Sequence, residues 1–195
     1  MANDAATAPA ITLGNPAVVG LAGFGMTTLA LQLHNLGYIG IAPVLWLGFI
    51  FGGLGQFIAG FMEQKTGNNF GFCAFVGYGA FWLWLCAYIV GDSTGLALFK
   101  LADSDLAYML AGWGLFTFGL WIASWRVSKA MWLTFLTLTL GFAGLALVKW
   151  GHTELLKPAA YDLIVCALTA WYMMFSIIFK SVFGRDVLPM GRPIL

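Results

Sequence analysis

The chain is 195 residues long, 61% hydrophobic and 16% aromatic but only 9% charged, a composition that excludes an ordinary soluble domain and marks an integral membrane protein. A net charge of +1 supplies no basic patch or stripe, so nucleic-acid binding is excluded as a function class. The three cysteines, Cys73, Cys86 and Cys166, all fall in apolar runs and read as small buried hydrophobes rather than a disulfide or metal set.

Met1 to Thr12 contains no Lys or Arg, so a cleavable signal peptide is not expected there, and residues 1–14 read as a short tail. Asn15 followed by Pro16 reads as an N-cap and first helical residue, because the amide side chain accepts an orphan N–H and proline has none to lose. The first span then runs over Ala17–Leu36, about twenty residues, enough at 1.5 Å per residue to cross a ~30 Å hydrocarbon layer. It carries Thr27, Thr28, Gln32, His34 and Asn35, more polar groups than a plain lipid anchor holds, and these are candidates for lining a solute path.

Hydropathy places further spans at Ile39–Met62, Phe70–Val90, Leu106–Trp125, Met131–Trp150 and Ala159–Phe183. The fold class expected is therefore all-α integral membrane, a single domain of six transmembrane helices over residues 1–195, with a second short tail at about 184–195. Lys65, Arg126, Lys129, Lys180, Arg185 and Arg192 fall on the side of both tails, against Lys100, Lys149 and Lys157 opposite, so both termini are expected in the cytoplasm.

In the second span Gly48, Gly52, Gln56 and Gly60 recur every four residues, a stripe that favours close helix packing. Gln56 needs a partner in hydrocarbon, and either a neighbouring helix or a wet path would serve. The loop after the third span carries Asp92, Asp103 and Asp105, which read as solvated, with Asp105 capping the fourth helix. Thr134, Thr137, Gly141 and Gly144 share a face of the fifth span, where threonines commonly bond their own helix. Asp162 reads as a first-turn residue of the sixth, stabilised by the helix dipole. No carboxylate is expected at mid-span, which favours channel-like conduction.

Sliding the chain by 89 residues brings Leu21-Ala22-Gly23-Phe24-Gly25 onto Leu110-Ala111-Gly112-Trp113-Gly114, Thr28 onto Thr117 and Trp82 onto Trp171. Halves of three helices must be antiparallel, so an inverted three-plus-three repeat is expected, an architecture typical of transport proteins.

Asn15-Pro16-Ala17-Val18-Val19-Gly20-Leu21 resembles the N-P-A-P-L-G-L signature of the acetate uptake transporters, the succinate–acetate permease family, with Val18 in place of the second proline. Leu33 to Tyr38, Gly67 to Gly71, Tyr78 to Trp82, Trp113 to Thr117 and Gly184 to Pro189 resemble further stretches of that family in order, so the likeness spans nearly the whole chain. It implies a channel or permease for small carboxylates, acetate foremost and succinate also, in the inner cell membrane, with one pore per protomer of a hexamer. It also implies an aromatic and aliphatic constriction, matched here by Phe24, Tyr78 and Leu138, near Thr137 on the fifth span. The tripeptide Asn15-Pro16-Ala17 occurs in aquaporins too, but those need a second copy and this sequence has none.

No catalytic constellation, cofactor or metal is expected, and the protein is expected not to be an enzyme. The rival class is a haem-binding bundle, for which His34 and His152 could supply one axial pair; a Soret band would favour it.

Overall fold

Backbone polar groups cannot stay bare in hydrocarbon, so long apolar runs must close their hydrogen bonds within themselves. In the computed structural model, which describes residues 14–100 and 102–195, they form six helices long and apolar enough to cross a membrane. These are α1 (Ala17–Asn35), α2 (Ile41–Lys65), α3 (Asn69–Ser93), α4 (Asp103–Ser124), α5 (Lys129–Lys149) and α6 (Leu156–Phe183). The expected first tail, residues 1–14, lies almost wholly outside the described residues. The starts of α1, α3 and α5 and the ends of α2, α4 and α6 form one face, called lower here; the opposite ends form the upper face.

Local chemistry sets the helix ends. Asn68 accepts from the Gly71 N–H at 3.1 Å to start α3, and Ser128 accepts from Met131 at 3.1 Å to start α5. At α1 the geometric cap is Pro16 rather than Asn15, although Asn15 Oδ1 still accepts from the Ala17 N–H at 2.9 Å. Asp105 likewise sits inside the first turn of α4, reaching back to the Ala102 N–H at 3.1 Å. The sixth helix begins at Leu156, three residues before the expected start, so Asp162 lies in its second turn instead of its first. Hydropathy excluded these charged first turns, and backbone hydrogen bonding includes them.

The main departure is in α2, whose centre, Gly48–Gly55, is a π-helix. Its glycines divide between two neighbours: a Cβ on Gly52 would meet Thr27 of α1, and one on Gly60 would meet Val76 of α3. From the other side, Gly79 of α3 would put a Cβ 2.8 Å from the Phe57 backbone N, where nothing flexible can yield. Gly79→Ala is therefore expected to lower the melting temperature in detergent by an amount equivalent to about 1–3 kcal/mol; an unchanged value would mean that α2 and α3 are not in such close contact.

The neighbours in the two halves correspond. Helix α1 packs on α2 as α4 packs on α5, and α2 on α3 as α5 on α6, the pattern a three-plus-three repeat requires. The halves differ where α1 closes on α6 through Gly25, which faces Trp171, whereas α3 and α4 meet through the larger rings of Tyr78, Phe81, Trp113 and Phe116.

Cys86 and Cys166 are buried, whereas Cys73 faces outward, correcting its reading as a buried hydrophobe. Past α6 the chain does not trail away as a tail. It turns at Gly184 (φ 68°) and straps the lower face: Ser176 Oγ donates to Leu188 O at 2.7 Å, Tyr172 OH to Pro189 O at 2.8 Å, the Ala130 N–H to Met190 O at 3.0 Å and the Ile194 N–H to Trp125 O at 2.8 Å.

Candidate functional site: two cavities and the three residues between them

A bundle that packs its large side chains on some helix pairs and glycines on others leaves space along its axis. A lower cavity of about 80 Å³ runs upward from the starts of α1, α3 and α5, past Ala17, Asn68, Gly71, Gln56 and Thr134, with Met190 of the strap at its rim. An upper cavity of about 30 Å³ lies among the opposite ends of α1, α3, α5 and α6, past Thr28, Gln32, Trp82 and Leu163. Phe24, Tyr78 and Leu138 line both. They are the partition, and each is buried.

The partition is held from behind. Tyr78 OH donates to Thr117 Oγ1 at 3.0 Å, and Thr117 donates in turn to Trp113 O at 2.7 Å, so the phenol is anchored to α4 and its ring is left facing the axis. The Phe24 and Tyr78 ring centroids are 5.7 Å apart in a tilted pair. Tyr78→Phe removes one buried hydrogen bond and leaves Thr117 its backbone acceptor, so the expected loss is about 0.5–1.5 kcal/mol, read as a small fall in melting temperature. A fall like that of a large core truncation would show that the ring itself had moved.

Polar groups face each cavity. Gln56 is 0% exposed and lines the lower one, yet neither its Nε2 nor its Oε1 finds a hydrogen-bond partner among the described residues. Above the partition Gln32 lines the upper cavity and accepts from Asn35 Nδ2 at 2.9 Å, with Thr28 one turn below. Thr134 bridges α5 to α6 through Thr169 at 2.9 Å while lining the lower cavity.

The other candidates lie elsewhere. Thr27 is turned by one helical position from Thr28, donates to Gly23 O at 2.8 Å and fills the contact with Gly52. Thr137 is spent on the Leu133 and Thr134 carbonyls at 2.9 and 3.0 Å. His34 Nδ1 pairs with Ile39 O at 3.1 Å in the turn between α1 and α2, and His152 lies 3.4 Å from Glu154. Asn15 and Pro16 border an outer groove with Ile58, Met62 and Lys65. Among the described residues no group of three or more His, Cys, Asp or Glu could hold a metal ion.

Three residues of this region escaped the sequence reading. Thr117 was signalled only by its match to Thr28 in the repeat and by ending the Trp113 to Thr117 stretch, Met190 by nothing in the periodicity, and Glu63 sat at the polar end of a span where solvation is the default expectation.

Three comparisons bear on the site. The model of the GPR1/FUN34/yaaH family matches residues 1–191. The succinate-acetate/proton symporter SatP of Escherichia coli (strain K12) is 38% identical over 182 residues, covering 92% of this chain and 96% of its own. Acetate permease A of Emericella nidulans is 28% identical over 91% of this chain and 66% of its own. Among solved structures, that of the bacterial acetate channel SatP superposes with a TM-score of 0.88 at 37% identity, covering 92% of this chain and 100% of that one.

Proposed function

Since the chain belongs to the GPR1/FUN34/yaaH family, we propose that it carries acetate and other small carboxylates, succinate among them, across the membrane along the axis joining its two cavities. The observation that carries this reading is the arrangement of polar-edged cavities on two sides of a partition made of Phe24, Tyr78 and Leu138.

Short carboxylic acids titrate near 4, so at neutral pH they are anions that hydrocarbon excludes. In the lower cavity the Gln56 amide offers donors that none of the described residues uses, and a carboxylate can take them. The partition is apolar and closed to hydrated ions, so a small anion passes when the rings and Leu138 move aside and it sheds water, a gate of the dewetting kind. Thr28 and Gln32 receive it on the other side. Movement of a solute, rather than catalysis, is the activity. The lower face carries most of the Lys and Arg, which supports a cytoplasmic lower face with the strap inside the cell, in the inner membrane as the family resemblance implies. By the family resemblance each protomer of a hexamer holds its own path, and residues 1–195 act as one domain.

The test is counterflow. Proteoliposomes loaded with unlabelled succinate are expected to accumulate labelled succinate transiently, and external acetate to suppress it; reconstituted protein that shows no counterflow above empty liposomes would sink the reading.

A further inference from the structure

Among the described residues Glu63 is the one acidic residue that is fully buried, 2% exposed near the lower end of α2. Its Oε2 accepts from Asn68 Nδ2 at 2.6 Å, and its Oε1 has no partner among the described residues. It lies beside the start of α1, whose Ala17 N–H is bonded to Asn15, and would lie 2.8 Å from a Cβ on Gly71 at the start of α3. Ala17, Asn68 and Gly71 are themselves lining residues of the lower cavity, so the carboxyl stands directly behind its wall.

The charge around it is sparse. Helices α1 and α3 offer their N-terminal ends, with the Ala17 and Gly71 N–H groups already bonded to Asn15 and Asn68, and the α2–α3 turn offers the Asn68 amide; on its own helix Lys65 is exposed. None of the ion pairs among the described residues includes it. Among the described residues, two helix starts and one amide supply the positive potential of this pocket, enough to steady one anion. A substrate carboxylate arriving at Ala17 and Gly71 would be a second. Two carboxylates that close together, away from water, share a proton instead of both staying charged.

We propose that Glu63 is the proton-binding group of transport: it takes a proton from the aqueous side when a carboxylate substrate occupies the lower cavity and gives it up when the substrate leaves. This rests on the reading of the protein as a carboxylate carrier. On uptake the proton moves with the substrate from the upper side, stays on Glu63 while the lower cavity is occupied and leaves to water at the lower mouth; no bond to carbon changes, and with a monocarboxylate bound the net charge in the pocket stays at one negative. The pocket accordingly couples occupancy to pH without any basic residue.

The experiment compares the parent with Glu63→Gln, which keeps an oxygen for Asn68 and cannot titrate. Labelled succinate is followed in proteoliposomes in two modes, counterflow at equal pH and uptake driven by acid outside. The parent is expected to do both, with several-fold accumulation under the pH gradient; Glu63→Gln is expected to exchange succinate and to lose the driven accumulation. Driven accumulation equal to the parent's overturns the proposal, as does a parent that exchanges succinate but ignores the gradient. A parent that does not exchange at all overturns the carrier reading, and the proposal with it. Should Glu63→Gln not exchange, melting in detergent at pH 5 and pH 8 decides: a smaller pH shift in the variant than in the parent supports a titrating Glu63, and equal shifts overturn it.

Discussion

Gln56→Leu is expected to make the protein more stable and a poorer carrier. The amide is fully buried with both polar atoms unpartnered, a cost of about 1–3 kcal/mol that an apolar side chain of similar length does not bear. Melting should therefore rise by several degrees. Flux should fall, because a carboxylate crossing the lower cavity loses a hydrogen bond to a charged acceptor, about 1.5–3 kcal/mol. At 1.4 kcal/mol per decade that is about tenfold or more. The opposite signs are the content of the prediction: if stability and succinate counterflow fall together, Gln56 is holding two helices together and does not face a path.

Leu138→Ala is expected to change selectivity more than stability. A leucine enclosed by packed atoms costs about 2–5 kcal/mol on truncation, much of it for the cavity left behind. Leu138 already has open space on two sides, so cutting it joins existing cavities rather than opening a new one. The passage widens by about the volume of an isopropyl group. Lactate exchange relative to acetate exchange, corrected for empty liposomes, should rise while melting changes little. An unchanged ratio with a melting temperature many degrees lower would assign Leu138 to packing.

The helices were legible because hydrocarbon thickness fixes how long an apolar run must be, and all six spans lie within a few residues of the sequence expectation. Hydropathy cannot distinguish hydrogen bonds that skip four residues from those that skip five, so the π segment of α2 left no trace in it. Nor can it choose between Thr27 and Thr28, adjacent residues separated by 100° around α1, of which one packs on Gly52 and the other faces the upper cavity. The grouping of Phe24, Tyr78 and Leu138 came from family resemblance; periodicity alone would have left each as a core residue. Glu63 was hidden for a different reason. Its burial depends on the start of α1 and on Asn68 closing over it, contacts made by segments distant in sequence or past a turn, and a single carboxylate near the end of an apolar run carries no mark of them.

The π segment gives α2 a surplus residue, and a helix with a surplus can lose one. Each π turn forms when an extra residue is accommodated inside an α-helix, so removing one from Gly48–Gly55 returns that stretch to α geometry and leaves both flanks aimed as before. Ile50, 61% exposed, is the natural residue to omit. Val44 would keep its buried face, and Gln56 and Glu63 theirs. A deletion in the α-helical turns before Gly48 would turn everything beyond it by about 100° and swing both polar groups away from the lower cavity. A single-residue deletion thus has a permitted site within this membrane helix, a built-in length adjustment in the wall of the path.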